Sequence, residues 1–259
     1  MLLRILLASY LGLCLFMYVQ QRSLLYFPTA YSPTPAVNND LATAKVMSIN
    51  GEQIKLWQLN TEQEDAIVYF GGNAENVAQN IPAYAQQFPQ QAVYFVNYRG
   101  YGGSSGSPSE EGLLADAVAI FDKLSQQHQR IIVIGRSLGS GVAVHLAVTR
   151  PVHKLVLITP YDSIEAVAKR QYFWLPVSLL LKDRYDSLSK APQLNLPVLV
   201  MSAEYDQVIP FQHTENLMQA IAPSLLQSEI MLGTQHNNIH RAPSYFPMLL
   251  SFMKLLSVE

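Results

Sequence analysis

The chain has few charged residues and a single cysteine. Of its 259 residues, 14% are charged, and the net charge is −2. This balance supplies neither the basic surface that nucleic acid requires nor a solvated acidic tail. The one cysteine, Cys14, cannot form an internal disulfide and excludes metal sites built from several cysteines. Nucleic-acid binding is therefore not expected, and the length suits one α/β domain with an appendage.

The first twenty residues are almost entirely apolar. The run from Leu2 to Val19 is long enough to cross a bilayer as a helix, and it is interrupted only by Arg4, Ser9 and Tyr10. No pair of small residues marks a signal-peptide cleavage site before Pro28. We therefore predict an uncleaved membrane anchor over residues 1–22. The alternative is a buried N-terminal helix of a soluble domain, which the absence of a polar stripe disfavours.

Charges at the ends of this run bear on its orientation. Arg4 and the free amine precede the span and Arg22 follows it, which favours a cytoplasmic N-terminus and a domain on the non-cytoplasmic side. A lipoprotein attachment at Cys14 is disfavoured, because Leu13 stands where a small residue is needed and the preceding apolar stretch is too short.

Residues 23–43, which are rich in proline, are predicted to be a linker, and residues 44–259 a single domain. Asn50-Gly51 is the typical type I′ turn of a hairpin between Ala44 to Ile49 and Glu52 to Leu59. Six further apolar runs have the length of buried strands: residues 66–70, 92–96, 130–134, 154–158, 197–201 and 228–232. Helical patterns alternate with them at Pro108 to Gln127, Leu138 to Thr149, Phe211 to Ala220 and Arg241 to Val258, the first with Ser107 as its expected N-cap. The alternation predicts a mainly parallel sheet with an antiparallel N-terminal hairpin and helices on both faces.

A G-x-S-x-G motif lies at residues 135–139, between a predicted strand and a predicted helix. This context is typical of the nucleophile elbow of the α/β-hydrolase fold, where a strained turn lifts a serine hydroxyl above the sheet. Ser137 is therefore the candidate nucleophile. The alternative is a tight turn in which Ser137 only caps the helix, but this alternative does not account for the candidate acid and histidine later in the chain.

A serine nucleophile needs a histidine base and a carboxylate that orients it, in the chain order Ser, acid, His. Asp206 follows a late strand and His236 follows the last strand, so both occupy the expected places. Glu204 competes with Asp206 for the acid role, but Asp206 directly precedes the segment leading to the next helix. His240 lies four residues after His236 without a third ligand, so no metal site is predicted.

The oxyanion hole is expected to use backbone N–H groups. One would come from Leu138, the residue after the nucleophile, and the second from the loop after an early strand. We predict Asn73 as that second donor, with Gly72 close enough to be confused with it.

Four stretches resemble a branch of the α/β-hydrolase superfamily: N-terminally anchored serine hydrolases related to animal protein depalmitoylases. They are residues 21–28, 69–76 and 97–113 and the elbow at 135–139. The resemblance implies the same roles for Ser137, Asp206 and His236. Two positions depart from the family pattern, since Gly71 replaces a histidine and Glu75 replaces a glycine. These departures put the rigidity of the oxyanion loop in question more than the identity of the nucleophile.

An insertion at about residues 161–195, before the acid-bearing strand, is predicted to be a lid. Its aromatic and leucine residues suit an acyl-chain pocket or a membrane-facing patch, although such stripes more often pack on their own domain.

We predict a serine hydrolase that cleaves an ester or thioester of a small molecule, lipid or acyl-protein, without metal or organic cofactor. A serine aminopeptidase is one alternative, in which a lid carboxylate would hold the substrate amine: Glu165, Asp162, Asp183 or Asp186. A non-catalytic, membrane-tethered interaction protein is the other.

Overall fold

The computed structural model describes residues 1–30 and 41–254. The N-terminal apolar run forms one helix, α1 (Leu2–Leu25). It continues three residues past the expected end of the anchor. Residues 31–40 of the predicted linker lie outside the described residues, and so does Val258, the predicted end of the last helix.

Eight strands form one sheet in the order β1-β2-β4-β3-β5-β6-β7-β8. Their bounds are β1 (Thr43–Ile49), β2 (Glu52–Leu59), β3 (Asp65–Phe70), β4 (Ala92–Val96), β5 (Arg130–Arg136), β6 (Lys154–Ile158), β7 (Val198–Ala203) and β8 (Leu226–Met231). β2 is antiparallel to β1 and to β4, and every other pairing is parallel. The predicted hairpin is confirmed, with Ile49 opposite Glu52 and positive φ at both residues of the Asn50-Gly51 turn.

The described residues contain seven further helices: α2 (Ile81–Gln87), α3 (Glu110–Leu124), α4 (Leu138–Thr149), α5 (Ile164–Gln171), α6 (Val177–Leu180), α7 (Phe211–Ala220) and α8 (Tyr245–Lys254). Two apolar clusters lie on opposite faces of the sheet. One contains Leu113 of α3 and Leu146 of α4, and the other contains Tyr84 of α2 and Leu249 of α8. The predicted fold class, a mainly parallel sheet between two helical layers, is confirmed.

Several element boundaries differ from expectation by a few residues. The N-cap of α3 is Ser109 and not Ser107, because Ser109 is extended and its hydroxyl accepts the Gly112 N–H at 3.1 Å. Residues 239–241 form a separate 3₁₀ turn, so the last helix begins at Tyr245. The last strand begins at Leu226, two residues earlier than predicted, because it pairs with β7 along the full length of that strand.

The predicted lid lies between β6 and β7 and contains α5 and α6. The lid contacts α1 as well as the rest of the domain. Residues Leu175 and Val177 of the lid are buried against Cys14 of α1, in a small cluster separate from the two main ones. The lid is therefore held between the domain and the N-terminal helix.

Candidate active site

Ser137 stands on a sharp turn between the end of β5 and the start of α4. Its backbone has φ 49° and ψ −116°, which a non-glycine residue adopts only under strain of about 1–3 kcal/mol. The flanking glycines are required by space, because a Cβ on Gly139 would overlap the carbonyl oxygen of Phe70. Strand, turn and helix together present the Ser137 hydroxyl at the carboxyl edge of the sheet.

A chain of hydrogen bonds runs from this hydroxyl to a buried carboxylate. His236 Nε2 lies 2.9 Å from Ser137 Oγ, and His236 Nδ1 lies 2.7 Å from Asp206 Oδ2. The side chains of His236 and Asp206 are 7% and 6% exposed. An ionised carboxylate only accepts, so the imidazole proton belongs on Nδ1, which leaves Nε2 free to accept from the serine. The structure thus brings together the three residues predicted from chain order.

The other oxygen of Asp206 is held by the backbone. Asp206 Oδ1 accepts the N–H groups of Val208 at 2.9 Å and Ile209 at 2.7 Å. Glu204, the competing carboxylate, points elsewhere and accepts the Gly233 N–H at 2.7 Å. The geometry therefore separates two acids that lie two residues apart in the sequence.

The loop after β3 lies against the elbow. A Cβ built on Gly72 would be 3.6 Å from Ser137 Cβ, so this loop borders the nucleophile. The Gly72 N–H is already engaged, since it donates to Glu75 Oε2 at 2.5 Å. That bond removes Gly72 from the two candidate donors named from the sequence. Leu138 is the first residue of α4, where backbone N–H groups have no partner within the helix.

The side chain of Asn73 ties this loop to the chain that leaves α1. Its Nδ2 donates to the Leu25 carbonyl at 2.6 Å, and its Oδ1 accepts the Phe27 N–H at 2.9 Å and the Tyr101 hydroxyl at 2.8 Å. Sequence reasoning missed this link, because nothing in the pattern of residues 23–30 indicates that they return to the sheet edge. The N-terminal helix and the candidate site are thus joined directly.

Arg136 and Glu75 form a buried ion pair beneath the site. Arg136 Nη1 lies 3.0 Å from Glu75 Oε2, and the side chains are 15% exposed for Arg136 and 9% for Glu75. Arg136 also donates to the His236 carbonyl at 3.3 Å. Glu75 Oε1 accepts from the Tyr69 hydroxyl at 2.9 Å and the Asn80 amide at 2.8 Å. The pair therefore connects the loop after β3, the nucleophile turn and the histidine loop.

Burial and charge act in opposite directions on the pKa of Arg136. Burial alone favours its neutral form, but the Glu75 carboxylate, together with Tyr69 and Tyr245, outweighs this effect and raises the pKa. Arg136 is consequently charged at neutral pH. Sequence reasoning noted that Glu75 and Gly71 depart from the family pattern without connecting them. A Cβ at position 71 would lie 2.6 Å from Val77 Cγ1 and 3.2 Å from Glu75 Oε2, so a side chain there would overlap Val77 and crowd the Glu75 carboxylate.

The four lid carboxylates considered for substrate binding all have partners within the protein. Asp162 is buried and lies 2.9 Å from His213 Nδ1, and Asp183 is paired with Arg22 at 3.0 Å. Glu165 is paired with a lysine and an arginine, and Asp186 Oδ1 accepts a backbone N–H at 3.0 Å. Over residues 1–30 and 41–254, no group of three or more His, Cys, Asp or Glu side chains could hold a metal ion.

The helix α1 has the length and composition to cross a membrane. Its most apolar window has a mean hydropathy of 2.0, and 6% of that window is buried within the protein. A membrane anchor and a signal sequence both satisfy these criteria.

The sheet order, the elbow and the placement of the three polar residues define an α/β hydrolase. Comparison with known proteins agrees, because residues 65–190 match the family model described as the alpha/beta hydrolase fold. An uncharacterized protein of Mycobacterium tuberculosis is 35% identical over 88% of this chain and 84% of its own length. The chain therefore belongs to the α/β-hydrolase family.

One of the more distant relatives is named for an enzymatic activity. The lysophosphatidylserine lipase ABHD12 of Danio rerio is 28% identical over 73% of this chain and 58% of its own length. Protein bem46 of Schizosaccharomyces pombe is 26% identical over 92% of this chain and 87% of its own. Among solved structures, the Pyrococcus furiosus esterase Pf2001 superposes with a TM-score of 0.70 at 14% identity, over 89% of this chain and 98% of that one. This last similarity shows the fold alone.

Proposed function

We propose that the protein is a serine hydrolase that cleaves carboxylic esters or thioesters through an acyl-Ser137 intermediate. The observation that carries this proposal is the continuous bonding of Ser137 Oγ, the His236 ring and Asp206 at 2.9 and 2.7 Å. Nucleophile, base and orienting acid within hydrogen-bond reach are the geometry that acyl transfer requires.

In the first half of the reaction, Ser137 Oγ attacks the carbonyl carbon while its proton passes to His236 Nε2. The developing oxyanion is stabilised by the N–H of Leu138, with Asn73 as the second donor because the Gly72 N–H is occupied. The bond to the leaving oxygen or sulfur then breaks, and the leaving group takes the proton from His236. In the second half, a water molecule gives a proton to the same nitrogen and attacks the acyl carbon. The bond to Ser137 Oγ then breaks and Oγ takes the proton back from His236, which releases the acid and restores Ser137.

An ester or thioester is a better candidate than an aminoacyl substrate. An aminopeptidase needs a carboxylate that is free to bind the substrate amine, and the buried pairs of Asp162 and Asp183 do not leave theirs free. The lipase name of the ABHD12 relative points the same way. We therefore favour a lipid, acyl-protein or small-molecule ester.

We further propose that residues 1–22 form a single-pass membrane anchor and that the domain over residues 44–259 lies on the non-cytoplasmic side. The length and hydropathy of α1 support the anchor, and Arg4 before the span against Arg22 after it supports the orientation. Protease accessibility of the domain in sealed, right-side-out vesicles tests this orientation. Protection of the domain would reverse it.

Labelling with a fluorophosphonate probe tests the chemistry. The wild-type protein should be labelled, and Ser137→Ala should not be labelled at all. His236→Ala and Asp206→Asn should label far more slowly, because the nucleophile loses its base or the base its orientation. A wild-type protein that folds but does not react would refute the proposal and favour a tethered interaction protein. Turnover of p-nitrophenyl esters against aminoacyl-anilides then separates an esterase from an aminopeptidase.

A further inference from the structure

Residues 172–181 of the lid form an uncharged apolar run, and much of it is exposed. Phe173 is 84% exposed, Leu179 83% and Trp174 46%. Charged residues stand at both ends of this run, with Arg170 before it and Lys182 after it. Exposed apolar patches on a protein surface mark sites of contact with a membrane, a ligand or another protein.

The run lies alongside α1, and from Trp174 to Asp183 it follows the helix in the same chain direction. Asp183, just beyond the run, is paired with Arg22, whereas the Trp174 carbonyl accepts from the Tyr10 hydroxyl at 3.0 Å. Between these two levels, Leu175 and Val177 pack on Cys14. Tyr10 lies twelve residues before Arg22 in the helix. Trp174, bound at the level of Tyr10, therefore lies about 18 Å further along the α1 axis than Asp183, which is bound at Arg22.

Several backbone groups of the run have hydrogen-bond partners despite its irregular path. Gln21 of α1 bonds to the end of the run nearest the domain, since its Nε2 donates to the Leu180 carbonyl at 3.0 Å and its Oε1 accepts the Lys182 N–H at 2.7 Å. Within the run, the N–H groups of Leu175, Leu179 and Leu181 donate to carbonyls of neighbouring turns at 2.8 to 2.9 Å. Non-helical backbone is tolerated at membrane depth only when its polar groups have such partners.

We propose that the tip of the lid, residues 172–181, inserts into the lipid bilayer beside α1, so that helix and lid form one membrane-embedded unit. The exposed patch thus contacts the acyl chains of the same bilayer that holds α1. This inference rests on the anchor proposed above and not on the chemistry of Ser137. If α1 spans the bilayer, Tyr10 lies below the membrane surface. A segment that is bound to α1 at the level of Tyr10 then lies below the surface too.

The flanking residues fit this placement. Lys182 Nζ lies 4.1 Å from the centre of the Tyr18 ring, at the end of the run nearest the domain. Basic and aromatic residues concentrate where a protein passes through the lipid headgroups, because their apolar parts face the chains and their polar parts face phosphate and water.

The two tryptophans of the chain provide a direct test. Trp174 is at the lid tip, whereas Trp57 is 2% exposed inside the domain. We would reconstitute the full-length protein in phosphatidylcholine vesicles whose acyl chains are brominated at a series of depths. The wild type is compared with Trp174→Phe, so that the difference reports Trp174 while the buried Trp57 is untouched. Flotation of the vesicles verifies that the protein is bound.

We expect bromolipid to quench the Trp174 component by about half and a water-soluble quencher to have little effect on it, since the ring would lie within the acyl region. Trp174→Phe should be insensitive to both. Replacing two exposed residues together, Phe173→Glu and Leu179→Glu, should abolish the bromolipid quenching. Trp174 quenched only from water in vesicle-bound protein would overturn the proposal. Protection from both quenchers would do so too, in favour of contact with a second copy. Fluorophosphonate labelling of the same vesicles reports the catalytic proposal separately.

Discussion

Replacing Glu75 by glutamine tests whether the buried ion pair holds the candidate site together. Glutamine has nearly the same shape, so the substitution removes a charge and leaves the volume unchanged. Arg136, whose side chain is 15% exposed, would remain buried beside an amide instead of a carboxylate. Removing one partner of a buried pair destabilises a protein by 3–5 kcal/mol, and we expect about 3 kcal/mol because the amide oxygen still accepts.

For a domain of this length, a loss of that size lowers the unfolding midpoint by about 10 °C. The midpoint can be measured by circular dichroism in detergent micelles. Asp122→Asn is the matched control, since it removes a carboxylate from the Arg150 pair, whose side chains are 47% and 33% exposed. Surface pairs contribute about 1 kcal/mol or less, so this control should change the midpoint little.

The same variant should also slow the labelling of Ser137. Glu75 holds the Gly72 N–H at 2.5 Å, next to the predicted oxyanion donor, and Arg136 holds the His236 carbonyl. Small displacements of positioned groups cost about 10- to 100-fold in rate. If Glu75→Gln shifts the midpoint no more than Asp122→Asn and labels at the wild-type rate, the ion pair does not position the site and our reasoning about it is wrong.

Three further predictions concern single side chains. Burial lowers the pKa of His145, so the unfolded chain takes up a proton first as the pH falls below about 6.5, and stability should decline there; His145→Gln should flatten the dependence of the unfolding midpoint on pH, and equal slopes would contradict this. Lys154→Met should cost about 2 kcal/mol in denaturant unfolding, because Lys154 Nζ donates to the Phe252 carbonyl at 2.7 Å at the end of α8; an unchanged midpoint concentration would count against it. Asn73→Ala keeps the backbone N–H but loses the bond to the Leu25 carbonyl, so Ser137 labelling should slow while the unfolding midpoint changes little; unaltered labelling would show that the α1 link does not position the loop.

Much of the fold could be predicted from local patterns. The turn at Asn50-Gly51 and the buried strands are set by backbone preferences and by runs of a few residues, so they could be identified without any long-range contact. Boundaries were harder to predict, because two serines flank Pro108 and only the observed backbone geometry shows that Ser109 caps α3.

The candidate site likewise has parts that local patterns predict and parts that depend on the packed structure. Chain order and the strand-to-helix context of residues 135–139 were enough to select Ser137, Asp206 and His236 as candidates, since the fold constrains which loops meet at the sheet edge. Their catalytic roles remain predictions. Geometry alone shows that Asp206 faces His236 and Glu204 does not, because the direction of a loop side chain depends on the backbone bonds around it.

The sequence by itself determined the order of strands and helices, the strained turn at Ser137 and the apolar helix at the N-terminus. The tertiary structure alone decided that Glu75 lies under the nucleophile turn against Arg136, and that the lid packs along α1 as far as Tyr10. Local backbone preferences act over a few residues and are visible in the sequence. Buried ion pairs and helix-to-lid contacts join distant segments, and they become visible only when the packed chain brings those segments together.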